Sequence, residues 1–253
     1  MARSSATKLK RPPRWRSAHD ASVEVSEQDG VLSLHLGSKL IQSAMRLARP
    51  NDLEIIYTRC MMGFMLFKPE PRDIVMIGLG GGSLARFVFH HLPKTRITVV
   101  EVNAQVIAAA RNFFPLPPEG ERFRVIEGEG GDFVAAHPGS CDVLMIDGFD
   151  DGALPATLAG DAFSASAAAA LRQNGVLVMN FLGRDRRLNT HLKRLQACFE
   201  SPLLRMKAEP DDNVVVFGLK GSTGRRRTMG KRPALLEKKL GLPFRQYAKS
   251  FGL

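Results

Sequence analysis

The sequence predicts an α/β protein built on a doubly wound, mostly parallel sheet, with a small N-terminal β-hairpin region ahead of it. Three observations predict this. From Asp73 onward, short apolar runs alternate with stretches of helical period. Runs such as Asp73 to Ile77 and Asp142 to Ile146 are apolar at successive positions, so both faces of the sheet need cover. Glycines and carboxylates then follow these runs, at the carboxyl ends of strands where open α/β sheets bind ligands.

Residues 1–19 mix Ser, Lys and Arg with Pro12-Pro13 and are expected to form a basic flexible arm. Between Ala21 and Gly37, alternating Val23, Val25, then Asp29-Gly30, then Val31, Leu32, Leu34 and Leu36 predict a β-hairpin turning at Asp-Gly. Pro50-Asn51-Asp52 supplies turn and cap residues before a buried helix carrying Leu53, Ile56, Tyr57, Cys60, Met61, Phe64 and Met65. The hairpin and helix form a region over 20–68, and the sheet domain extends over 69–218.

Within that domain the strand Asp73 to Ile77 runs into a glycine loop and the helix Ser83 to His91, stopped at Pro93. Arg96 to Val102 is the second strand and Ala104 to Phe114 its helix. Further strands are expected at Phe123 to Ile126, Asp142 to Ile146 and Gly175 to Asn180, with helices around Phe133, from Ser164 to Leu171 and from Leu188 to Phe199. Leu203 to Met206 and Asn213 to Gly218 read as a closing antiparallel pair. Residues 219–253 form a basic C-terminal tail, in which Pro233 to Lys239 predict a short helix with Leu235, Leu236 and Leu240 as a docking stripe.

Charge and cysteine content narrow the function classes. The net charge of +11 divides into +6 over residues 1–19 and +9 over 219–253, which leaves −4 for residues 20–218. The basic character belongs to the ends, so nucleic acid is expected to bind weakly through them and not at the body. Cys60, Cys141 and Cys198 form no CxxC pair, which argues against a disulfide framework or a zinc ribbon and for a cytoplasmic protein. No apolar run approaches the roughly 18 residues of a membrane span, and no membrane partner is expected.

Four features at successive strand ends carry the chemistry. The loop Gly78-Leu79-Gly80-Gly81-Gly82 lets backbone amides approach a ligand closely, as loops for dinucleotides, phosphates or adenosyl sulfonium compounds do. Glu101, closing Thr98-Val99-Val100-Glu101, is placed to accept from both hydroxyls of a ribose. Gly128-Glu129-Gly130 offers a carboxylate to an adenine amino group, with Glu127 the competitor because strand register is open. The fourth strand then ends in Ile146-Asp147-Gly148-Phe149-Asp150-Asp151, where crowded carboxylates favour a cationic ligand, an amine or a sulfonium. Mg²⁺ is a weaker reading, since no phosphate-binding Lys follows the glycines. A nicotinamide dehydrogenase is weaker too, since the third glycine of its motif would fall at Ser83.

The order of glycine loop, Val-Glu-Val-Asn, Gly-Glu-Gly and Ile-Asp-Gly-Phe-Asp-Asp resembles the spermidine/spermine synthase family of aminopropyltransferases, a branch of the Rossmann-like methyltransferase superfamily, over about residues 22–218. The resemblance implies transfer of an aminopropyl group from decarboxylated S-adenosylmethionine to a small amine such as putrescine, without a metal. It implies that Gly78, Gly80, Gly81 and Gly82 cradle the donor, that Glu101 holds its ribose, and that Glu129 sits at its adenine. Asp147 would be the catalytic carboxylate with Tyr57 beside it, and Gln42 and Asp150 would bind the acceptor. A homodimer is among the expected states.

Three departures bear on the reaction. The family's loop has an Asp for the donor's ammonium where this chain has Gly81, and the acid after the helix Tyr is replaced by Thr58 and Arg59. Phe149 and Asp151 replace the small residue and Pro of the family's Asp loop. With Gly81, ordinary S-adenosylmethionine is admissible as donor, and Arg59 could pair with its carboxylate. Methyl transfer and a non-catalytic adenosyl-ligand or interaction protein therefore stand beside aminopropyl transfer as readings.

Overall fold

The computed structural model describes residues 22–37, 41–148, 154–210, 212–221 and 229–253. The arm 1–19 and the acceptor residue Asp150, with Phe149 and Asp151, lie outside the described residues.

β1 (Val23–Gln28) and β2 (Val31–Leu36) pair antiparallel about Asp29 and Gly30, whose φ angles of 52° and 71° are those of the tight Asp-Gly turn the sequence signals. A third strand that the sequence reading does not contain, β3 (Ile41–Arg46), pairs with β2. Ser43, Ala44 and Met45 are all buried, so this strand lacks the alternation that marks a half-exposed strand. The helix expected over Leu53 to Met65 is one short turn of α-helix, α1 (Ile56–Met61), continued as a 3-10 turn at Met62–Leu66. Cys60 to Leu66 are buried without a break, which hides the change of period from the sequence.

The main sheet has seven strands in the order β6-β5-β4-β7-β8-β10-β9. β4 (Asp73–Ile77), β5 (Arg96–Glu101), β6 (Phe123–Glu127), β7 (Cys141–Ile146) and β8 (Leu171–Leu182) are parallel, and β9 (Leu204–Ala208) and β10 (Asn213–Leu219) close the sheet antiparallel. Helices α2 (Ser83–His91) and α3 (Ala104–Phe113) cover one face together with α1 and the 3-10 turn. On the other lie α4 (Gly130–Ala136), α5 (Asp161–Ala170) and α6 (Leu188–Gln196), over a second cluster around Phe163, Phe181 and Phe199. The doubly wound expectation is met, with β8 longer at both ends than its apolar stretch.

The stretch read as a basic tail holds two packed helices. α7 (Arg232–Leu240) ends on Gly241 at φ 68°, and α8 (Phe244–Ser250) buries Phe244 and Tyr247 in the same core as the 3-10 turn. Of the expected stripe, Leu236 and Leu240 pack inward while Leu235 is 64% exposed. Among the described residues no helix is long and apolar enough to cross a membrane.

At the amino ends of the strands, Asp73 on β4 receives Arg72, Arg96 from β5 and Arg172 from β8, with Arg96 and Arg172 at 2.6 Å. Asp142 on β7 accepts the backbone N–H of Arg72 and of Asp73. These contacts tie four strands together at the end away from the glycine loop.

Candidate active site

A cavity of about 330 Å³ opens at the carboxyl ends of β4, β5 and β7. Its floor depends on a close approach of two strand ends. The N–H of Asp147 donates to the Ile77 carbonyl at 2.9 Å, and the N–H of Gly78 to that of Val100 at 2.9 Å. Gly78 has φ 96°, and a Cβ there would stand 2.5 Å from the Asp147 carbonyl oxygen. Only glycine lets the chain turn here without pushing Asp147 away.

The loop that follows is held from both sides. Glu101, 8% exposed, accepts from the Leu79 N–H at 2.8 Å through one oxygen and from the Asn103 N–H at 2.9 Å through the other. Burial pushes its carboxyl pKa up, against these backbone donors. Glu101 lines the cavity, and each oxygen of a carboxylate can accept more than one hydrogen bond. Asn103 caps α3 by accepting from the N–H groups of Gln105 and Val106. On the other side Arg86, a buried cation that the sequence reading does not single out, donates to the carbonyls of Gly81 and Pro50. Desolvation pushes its pKa down to about 10. Ser83 donates to the Ala44 carbonyl at 3.2 Å, which fastens β3 to the start of α2.

Gly78 and Gly80 line the cavity, whereas Gly81 and Gly82 turn away from it. A Cβ on Gly81 would meet the Phe114 ring at 2.8 Å and Ser43 Oγ at 3.0 Å. Gly82 begins α2 at φ 72° against Leu116. Glu129 immediately precedes α4 and lines the cavity, while Glu127, on the last position of β6, is exposed and does not. Of the two acids left open by the sequence, Glu129 is thus the one at the cavity.

Asp147, Tyr57 and Gln42 come together in the wall of the same cavity. The Tyr57 hydroxyl donates to Asp147 Oδ2 at 3.1 Å and lies 3.5 Å from the Gln42 carbonyl oxygen. Asn180, at the end of β8, donates its amide to Asp147 Oδ1 at 3.0 Å, and Asn213, opening β10, donates to Asn180 Oδ1 at 3.0 Å. Burial pushes the Asp147 pKa up to about 6, against the lowering effect of the Asn180 and Tyr57 hydrogen bonds. Neither asparagine is a site residue of the sequence reading. The available signal was a polar amide ending an otherwise apolar strand, Val176-Leu177-Val178-Met179-Asn180.

Arg59 is not where a donor carboxylate would need it. Its guanidinium donates to the backbone carbonyls of Leu53 at 2.6 Å and Glu54 at 3.2 Å, and the residue is not part of the cavity wall. Thr58 lines the cavity and donates to the Ile55 carbonyl.

A nucleoside-sized crevice over a glycine loop, with one acid at the second strand end and another of raised pKa at the fourth, defines a Rossmann-like transferase of the methyltransferase superfamily. A sequence model of the spermine/spermidine synthase domain matches residues 54–192. A polyamine aminopropyltransferase of Chromobacterium violaceum is 40% identical over 238 residues, 92% of this chain and 91% of that one. A polyamine aminopropyltransferase of Neisseria meningitidis serogroup B is 40% identical over 225 residues, 88% and 86% of the two chains. The chain belongs to the spermine/spermidine synthase family.

Solved structures agree on the fold. A probable spermidine synthase from Corynebacterium glutamicum superposes with a TM-score of 0.74 over 94% of each chain at 18% identity. Human methyltransferase-like protein 13, solved with SAH, gives 0.59 over 75% of this chain and 90% of that one at 26% identity.

Proposed function

We propose that this chain transfers an aminopropyl group from decarboxylated S-adenosylmethionine to a polyamine acceptor, with Asp147 as the proton acceptor. It is an aminopropyltransferase. The acceptor nitrogen bonds to the terminal carbon of the aminopropyl chain as that carbon's bond to the sulfonium breaks. Sulfur keeps the electron pair and leaves as methylthioadenosine, and the nitrogen gives up a proton to Asp147. The leaving group is already activated, so the protein's task is alignment and keeping the amine unprotonated.

The observation that carries this reading is the Tyr57–Asp147–Asn180 contact beside the glycine loop. A carboxyl of pKa about 6 is ionised at neutral pH yet basic enough to take a proton. Glu101 would hold the ribose, Glu129 the adenine end, Gln42 and Asp150 the acceptor, with Gly78 and Gly80 letting the donor lie close to the backbone. The position of Arg59 supports the decarboxylated donor over S-adenosylmethionine, because the residue is not part of the cavity wall and its guanidinium is turned to the Leu53 and Glu54 carbonyls. Parallel assays of the two donors with putrescine test the reading. Aminopropyl transfer from the decarboxylated donor alone is expected, and methyl transfer from S-adenosylmethionine would overturn it.

A further inference from the structure

We infer that Asn213 is a positioning residue of the reaction centre, acting through Asn180 to keep an N–H donor turned toward Asp147. This inference rests on the reading of Asp147 given above. Asn213 lies beyond residues 54–192, the stretch matched by the family's sequence model, and enters the site from the antiparallel closing strand.

The contact follows from the sheet. Val215 on β10 is the partner of Asn180 on β8, so Asn213, two residues away, shares the face of Asn180 and reaches it diagonally. Its Nδ2 donates to Asn180 Oδ1 at 3.0 Å. Asn180 is 2% exposed, and its own Nδ2 meets Asp147 Oδ1 at 3.0 Å.

A buried primary amide has two orientations that differ in shape hardly at all and in polarity completely. With its carbonyl engaged by Asn213, Asn180 can present only its NH₂ to Asp147. Turned over, it would set NH₂ against NH₂ at Asn213 and a carbonyl oxygen against a carboxylate at Asp147. Both contacts are repulsive where water is scarce. With its own amide turned as the structure shows, Asn213 therefore favours the face of Asn180 that donates to the carboxylate, and with it the orientation of the Asp147 oxygens between Asn180 and Tyr57. Among the described residues Tyr57 is the titratable group that bonds to Asp147, and Glu101 and Glu129 are the other carboxylates of the cavity.

Asn213→Asp tests the inference because it preserves shape and leaves only acceptors. The carboxylate at 213 then competes for the Asn180 NH₂ and draws it away from Asp147, disfavouring the charged form. With decarboxylated S-adenosylmethionine and putrescine as substrates, the acid limb of kcat is expected to move to higher pH by about half a unit or more. At pH 6, where Asp147 is half ionised, kcat should fall roughly two- to sixfold for a displacement of half a unit to one unit, with the donor KM changed less than about twofold. A ¹³C carboxyl titration of Asp147, assigned by its absence in Asp147→Asn, should show the same displacement without reference to activity.

Because a carboxylate at 213 also adds charge, the decisive comparison is in the Asn180→Ala background. The displacement should vanish there if Asn180 transmits it, and an undiminished displacement would overturn the inference in favour of a direct field effect. An unchanged titration in a folded Asn213→Asp protein would overturn it equally. Asn213→Ala, which is uncharged, should give a smaller displacement of the same sign and decides the matter should the Asp variant not fold. Full turnover by Asp147→Asn would instead remove the catalytic reading, while the carboxyl titration would still decide whether Asn213 orients Asn180.

Discussion

Replacing Asp147 by Asn should make the protein more stable and nearly inactive, and the two effects have one cause. Burial raises the Asp147 pKa from the usual carboxylate value of 3.8 to about 6, so the folded state holds a charge it would rather not carry above that pH. A displacement of this size corresponds to a ceiling of about 3 kcal/mol. Asp147 still faces the cavity, whose water reduces the figure, so about 1–3 kcal/mol is expected.

The sign follows from linkage. A carboxyl whose folded pKa is raised favours the fold while protonated and loses that contribution as pH rises from about 4 through 6. The amide that Asp147→Asn introduces carries no charge at any pH. The variant should therefore match the wild type near pH 4 and exceed it by the full amount at pH 8, as read from urea midpoints at the two pH values. Turnover at pH 8 should fall by at least about a hundredfold, because the shape and the Tyr57 and Asn180 neighbours remain while the base is gone. A variant no more stable than wild type at pH 8 would refute the desolvation argument. One with wild-type turnover would refute the role.

Three further outcomes are expected. Glu101→Ala should weaken methylthioadenosine by about 1–3 kcal/mol in calorimetric titration and also lower thermal stability, because the buried Leu79 and Asn103 N–H groups lose their acceptor; unaltered affinity in a folded variant would remove the ribose assignment. Gly81→Asp should destabilise by about 1–3 kcal/mol through its clash with the Phe114 ring, with partial rescue by Phe114→Ala in the same chain; equal melting temperatures would show that the ring yields freely. At Asp73, burial acts to raise the pKa but hydrogen bonds from Arg96, Arg72 and Arg172 outweigh it and hold it down at about 2. Its contribution is thus present above pH 4 and lost as pH falls through 2, so Asp73→Asn should cost about 1 kcal/mol at pH 7 after solvent screening and nothing measurable at pH 2.

Much of the fold was legible because its signals are local. The Asp29-Gly30 turn, the stop at Pro93 and the apolar runs of β4, β5 and β7 each act within a few residues, through φ preference or the need to bury both faces of a strand. The strand-end positions of Gly78, Glu101 and Asp147 follow from the same alternation, since the chain direction of parallel strands places their carboxyl ends together. Where the local signal was uniform it misled. The buried run Met61 to Leu66 conceals the change from α-helix to 3-10 turn, and the buried centre of β3 conceals a strand.

The sequence by itself determined the class of fold, the glycine loop, the strand-end acids and the family. Only the tertiary structure decided that Glu129 and not Glu127 faces the cavity, that Arg59 is spent on backbone carbonyls, and that residues 232–250 dock as two helices on the core. It also decided which groups surround the reacting carboxylate: Tyr57 lies 90 residues from Asp147 in the chain, Asn180 lies 33 away, and Asn213 a further 33. Contacts across such separations leave no periodicity in the sequence, because they depend on register between strands and on which face of a helix turns inward, and those are settled only when the whole core packs.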